Sequence, residues 1–114
     1  MKDICLFISD QHAGQVQGYA GDQWIRTPNL DRIAAEGTAM MNAYTPFPIC
    51  VPARMAMMSG QYASRAHVLN NKCALDSNRA TFVHCLSASG YATTLCGRMH
   101  FVGPDQRHGF QKRI

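Results

Sequence analysis

No run of apolar residues in this 114-residue sequence approaches the roughly 18 needed to cross a bilayer. The short apolar patch after Lys2 lacks the full core and cleavage site of a secretory leader. No membrane partner is therefore expected, and the expected location is cytoplasmic. Also missing is any C-x-x-C pair. The five cysteines, Cys5, Cys50, Cys73, Cys85 and Cys96, are odd in number and scattered. Neither a disulfide framework nor a zinc knuckle is indicated, and a reducing compartment fits. Cys5, Cys85 and Cys96 lie in apolar segments, where a thiol is expected to behave as a small hydrophobe. Acidic residues are few, 7 against 11 Lys and Arg, but the net charge of +4 gathers into no basic run and accompanies no base-stacking motif. No nucleic-acid partner is expected; the balance leans slightly to an anionic small molecule, with ordinary solvated charge as the plainer explanation. Internal repeats and low-complexity segments are absent too.

What is present looks globular: 46% hydrophobic and 16% charged residues, in a length that suits one domain but falls short of a typical multi-layer enzyme. Asp3–Asp10 is a continuous apolar run ending abruptly in polar residues, as a buried parallel strand would. That puts Asp10, Gln11 and His12 at the strand's C-terminal end, where open α/β sheets bind ligands. A Gly-rich loop follows, with Trp24 and Ile25 expected to anchor it. Thr27-Pro28 starts a helix carrying Leu30, Ile33 and Ala34, and Gly37 ends it.

A second strand is expected over 39–44. Thr45-Pro46-Phe47-Pro48 then forms a stiff approach to Cys50, because proline excludes helix and restricts the residue before it. A helix over about 52–59 turns Met55 and Met58 to the core and closes at Gly60. Residues 61–80 read as irregular. Thr81 caps a helix over 82–89 with Phe82, Val83 and Leu86 on one face, and a strand over 91–96 follows. Gly97-Arg98-Met99-His100-Phe101 is then a loop carrying a cation and an imidazole. With parallel strands, Asp10, the Arg98/His100 pair and the loop leading to Cys50 converge on one sheet edge. Alternating helices and strands predict a three-layer α/β architecture. About three strands with no closing element in the tail would leave edges uncovered, so the chain reads as incomplete.

The stretch with most chemistry is Pro48-Ile49-Cys50-Val51-Pro52-Ala53-Arg54. A cysteine at a helix start, with an arginine one turn on, joins free amides and the helix dipole to a fixed positive charge. By spacing alone, a buried structural cysteine with a surface arginine explains it equally well.

Cys50-Val51-Pro52-Ala53-Arg54 followed by Met58-Ser59-Gly60-Gln61-Tyr62 resembles the C-x-P-x-R signature of type I, formylglycine-dependent sulfatases of the alkaline-phosphatase-like superfamily. Ser9-Asp10-Gln11, Arg26-Thr27-Pro28-Asn29-Leu30-Asp31 and Gly97-Arg98-Met99-His100-Phe101 are similar to further blocks of that family, in order. The resemblance covers nearly the whole chain. It implies an α/β fold, the incomplete N-terminal part of a three-layer α/β/α sulfatase with a mainly parallel sheet. Residues 1–114 would form the N-terminal part of the catalytic domain.

The resemblance further implies that Cys50 is oxidised to formylglycine by a formylglycine-generating enzyme. One hydroxyl of the hydrated aldehyde would attack a small-molecule sulfate ester, and the second would release sulfate by re-forming the aldehyde. A calcium ion, or another divalent cation, would sit beside it with Asp10, Gln11 and the modified Cys50 as ligands. Many relatives carry a second aspartate where Gln11 stands. Arg54 would hold the nucleophile, His100 would hydrogen-bond it, and Arg98 would bind a sulfate oxygen where lysine is usual, a change of shape and reach at constant charge. Similarity of Met99–Gln106 and His108-Gly109-Phe110 to choline-sulfatase-like members implies that Asn71 would face the substrate pocket. His12, His67, His84 and His108 are expected to be structural or at the surface. The remaining metal ligands and a second sulfate-binding lysine would lie outside these residues, so the isolated chain is expected to be inactive. Phosphate or phosphonate ester hydrolysis is the alternative chemistry, and a non-catalytic or partner-dependent remnant the alternative role.

Overall fold

A computed structural model of the protein describes residues 2–114. The chain divides into two compact units, one running to Tyr44 and one spanning Thr45–Ile114.

In the first unit the helix expected after Thr27 forms as α1, Pro28–Glu36, with proline in its first turn and Gly37 after its last residue. Pro28 costs little there because the first amides of a helix have no internal partner. The preceding loop is held by one carboxylate. Asp31 Oδ1 accepts the Tyr19 amide at 2.8 Å and the Thr27 hydroxyl at 2.9 Å, while Thr27 Oγ1 accepts the Gly18 amide at 2.8 Å. A Cβ on Gly18 would meet that carboxylate at 2.5 Å, so the 3₁₀ turn Gly18–Ala20 can only approach α1 as glycine.

Three expectations fail in this unit. Neither Asp3–Asp10 nor 39–44 is a strand, and Ile4, Leu6, Phe7, Met40 and Met41 are exposed. A strand exists by its ladder, and no neighbour among the described residues pairs with either segment. The third is the anchor: Trp24 is 95% exposed and Ile25 is exposed as well. Their amides instead bond Asp22 Oδ1 at 2.8 and 3.1 Å, so backbone turn chemistry shapes the loop, and these two amides hold the Asp22 carboxyl below its ordinary range.

The second unit contains the core. Helix α2, Cys50–Ser59, begins two residues earlier than expected and ends at Gly60, whose φ of 66° is left-handed and whose amide closes on Ala56. Val51, Met55 and Met58 pack with Ala66, Val68, Leu75, Val83, Leu95, Met99 and Phe101. Within the segment expected to be irregular, Ala63–Ala66 forms one short helix, α3. Helix α4, Phe82–Ala88, starts after Thr81, whose amide donates to His84 Nδ1 at 3.1 Å, the reciprocal arm of a capping box. Val83 is its buried residue, while Phe82 remains exposed.

Strand β1, Thr94–Leu95, pairs in parallel with β2, Lys112–Arg113, so the tail does supply a strand. Thr94 faces Lys112 and Leu95 faces Arg113. The expected segment 91–96 thus shrinks to the residues that find a partner. The thiols are also corrected: Cys5, Cys85 and Cys96 are exposed, not small core hydrophobes.

His108 is the residue on which this unit's acid sensitivity turns. It is 1% exposed, lies 4.7 Å from the Phe101 ring, and neither ring nitrogen has a hydrogen-bond partner among the described residues. Asp105 Oδ2 is 3.4 Å from Nδ1. Burial lowers the His108 pKa, the Asp105 charge opposes this, and His84 adds to it. A depressed imidazole leaves stability intact above its ordinary range of about 6.5 and removes it as pH falls below that range and through the folded value. Asp105 behaves oppositely to a raised carboxyl: amides of His108 and Arg107 hold it low, so its contribution persists until stronger acid. Resistance to thermal unfolding should therefore fall as pH drops from neutral to below about 6.5. In His108→Phe, which removes the titrating group beside Phe101, that loss should shrink.

Candidate active site

The turn into α2 is built by local sequence. Ile49 is extended, with φ −130° and ψ 143°, the usual backbone of a residue at the N-cap of a helix. Pro52 falls in the first turn, where its missing N–H costs nothing. Cys50 therefore opens the helix, half-buried, with its thiol side at the end where amides point outward.

Arg54, one turn on, is buried with 8% exposure. This is the inverse of a buried cysteine beside a surface arginine, the plain pattern that spacing alone allowed. Its Nη1 donates to the Arg98 carbonyl at 3.2 Å and lies 4.0 Å from Met99 Sδ. Helix α2 and the Gly97–Phe101 loop are thus tied through one guanidinium, 44 residues apart in sequence.

Met99 and Phe101 are both buried, and His100 between them is half-buried with φ 58°. Left-handed backbone at a non-glycine residue persists only where its surroundings impose it. Two buried neighbours and a bonded carbonyl impose it here, and the Arg98 side chain stays exposed. Asn71 joins the same region: its Oδ1 accepts the Val51 amide at 3.0 Å. Five of the expected residues, Cys50, Arg54, Asn71, Arg98 and His100, are therefore linked through α2.

Asp10 and Gln11 belong to the first unit, adjacent and exposed in a turn, with Gln11 at φ 56°. Their oxygens suit a hard cation by type. Among the described residues no three His, Cys, Asp or Glu gather to hold a metal ion. Sequence reasoning did not single out Met99 as the arginine's neighbour or Asn71 as a partner of Val51, because both contacts join distant segments and leave no periodic signal.

Helices beside a short parallel sheet, with the C-x-P-x-R stretch opening one of them, fit the α/β fold of the alkaline-phosphatase-like hydrolases. A solved structure of a protein in complex with its substrate D-glucosamine-2-N,6-O-disulfate superposes with a TM-score of 0.83 at 29% identity, over 90% of this chain and 20% of that one. The phosphonate monoester hydrolase of Agrobacterium radiobacter shares the fold with a TM-score of 0.80 at 24% identity, over 91% of this chain and 24% of that one. The sulfatase family model matches residues 2–113, and the chain belongs to that family. It is 39% identical to the choline-sulfatase of Rhizobium meliloti (strain 1021) over 112 residues, which is 98% of this chain and 22% of that protein. The chain spans about a fifth of the length of the curated relatives it matches. No helix among the described residues is long and apolar enough to cross a membrane.

Proposed function

We propose that these residues form the nucleophile-bearing, N-terminal part of a sulfuric ester hydrolase that acts in the cytoplasm on a small-molecule sulfate ester, with Cys50 converted to formylglycine. The observation that carries this reading is the half-buried Cys50 at the first position of α2, with the buried Arg54 one turn on and bonded to Arg98 O. Membership of the sulfatase family and the similarity to a choline-sulfatase support it.

In this reading Cys50 is the precursor of the attacking group, and a formylglycine-generating enzyme is the partner that modifies it. Arg54 holds the nucleophile's oxygen side, since a guanidinium fixed in the protein interior is oriented before substrate arrives. His100 hydrogen-bonds the nucleophile, its ring directed by a constrained backbone. Arg98 meets a sulfate oxygen through its exposed side chain, while its carbonyl is held by Arg54. Asp10 and Gln11 would hold a calcium ion, which when bound supplies positive charge for the sulfate and the developing oxyanion. Calcium takes about six to eight oxygens, so further ligands have to come from outside these residues, and activity depends on them.

Coexpression with a formylglycine-generating enzyme, followed by mass spectrometry of the Cys50 peptide, tests the premise. The expected product carries an aldehyde in place of the thiol; a peptide that stays wholly unmodified counts against the reading. Phosphate or phosphonate ester hydrolysis is the second chemistry, supported by the fold shared with a phosphonate monoester hydrolase. Relative rates of the complete protein on aryl sulfate and aryl phosphonate separate the two. A non-catalytic or partner-completed role is the other alternative. Calorimetric calcium titration addresses it, since tight binding by the 114 residues alone would argue against an incomplete site.

A further inference from the structure

We infer that Asn71 is a helix cap delivered from a distant loop, a positioning residue that fixes the backbone on which Cys50 sits. The need for such a cap follows from the first turn of α2. Ile49, at the capping position, has no side-chain acceptor to offer, and its own carbonyl takes the Ala53 amide at 2.9 Å. Pro52 has no amide hydrogen. Val51 N–H is thus a donor that the helix cannot satisfy from within, on a residue that is fully buried. Asn71 Oδ1 meets it at 3.0 Å across 20 residues of sequence.

The loop that delivers Asn71 is itself built to hold still. Val68 and Leu75, both buried, anchor its two ends in the core. Between them Asn70 folds the turn: its Oδ1 accepts the Lys72 amide at 2.8 Å and the Cys73 thiol at 3.3 Å, and its carbonyl takes the Cys73 amide at 3.3 Å. Successive asparagines therefore divide the work, Asn70 shaping the loop and Asn71 reaching the helix. An amide nitrogen cannot accept from Val51 N–H, so the side-chain orientation of Asn71 is set, with its NH2 group turned away from the helix amide. Cys50 stands next to the capped residue in the chain, and displacement of Val51 displaces it directly.

Amide hydrogen exchange in the intact protein tests the cap without reference to catalysis. Asn71→Ala should speed exchange at Val51 by about tenfold, a typical consequence of losing a capping side chain. Exchange at Gly60, at the other end of α2, and at Val68 should stay as in the wild type. Asn71→Asp retains the acceptor and should protect Val51 as the wild type does. Equal Val51 exchange in wild type and Asn71→Ala, acceleration spread evenly over all three amides, or an Asp variant that behaves like Ala would each overturn the cap.

The kinetic consequence rests on the sulfatase reading proposed above. There, Asn71→Ala should lower kcat with KM nearly unchanged, because the nucleophile is misplaced while substrate contacts remain. A raised KM at constant kcat would make Asn71 a substrate ligand and overturn its positioning role. Failure of the proposed activity itself would show as absent turnover in the wild type, with the exchange pattern untouched.

Discussion

Replacing Cys50 with alanine in the complete protein should lower sulfate-ester turnover by at least about 10³-fold, with no measurable loss of stability. The magnitude follows from the proposed chemistry: without the residue that becomes the nucleophile there is no covalent route, and only binding and electrostatic assistance remain. The unchanged stability follows from position. Cys50 is half-buried at the start of α2 and occupies a place where alanine is a good helix former. Kinetics on an aryl sulfate together with thermal unfolding would check both halves. Retained turnover in a folded Cys50→Ala protein would remove Cys50 from the mechanism.

Arg54→Gln should be the other severe substitution, and unlike the first it should damage structure as well. The guanidinium is buried and holds the Arg98 carbonyl at 3.2 Å beside Met99. Shortening the side chain frees that carbonyl and removes packing around Met99, a stability loss of about 1–3 kcal/mol. It also unties the loop that sets the backbone of His100. Under the proposed function, kcat/KM should fall by about 10²-fold or more. Arg54→Lys should rescue little, because an ammonium cannot reproduce the planar fork. The measurements are chemical denaturation and steady-state rates on the three proteins. Activity near wild type in Arg54→Lys would mean that charge alone matters there.

The two substitutions differ in how visible their targets are in sequence. Cys50 stands out through its own neighbours: Pro48 and Pro52 bracket it, Gly60 closes the helix, and the C-x-P-x-R spacing is complete within five residues. Such signals survive because they are local, each set by the φ restriction of proline, the freedom of glycine or the period of a helix. Arg54 gives no sign of being buried. A charged side chain is read as surface unless its partner is known, and its partner is a carbonyl 44 residues away. Asn71 is hidden for the same reason.

Strands show the opposite failure. The apolar run over Asp3–Asp10 reads as a buried strand, yet no described neighbour pairs with it, while the charged Lys112-Arg113 forms β2 because β1 lies alongside. Hydrophobic pattern records what a segment would bury, whereas a ladder records which backbone it meets. Trp24 illustrates the first half: its size argues for an anchor, and it is solvent-exposed.

By itself, then, the sequence determined the helices α1, α2 and α4, the methionine face of α2, the thiol at its start and the family to which these blocks conform, because short-range backbone restrictions encode all of them. Tertiary structure alone decided that Arg54 is interior, that Asn71 Oδ1 accepts the Val51 amide in the first turn of α2 and that the His108 ring is buried with no hydrogen-bond partner for its nitrogens among the described residues. Each of those depends on a backbone carbonyl, an amide or a ring brought in from a remote segment, and no local periodicity carries that information.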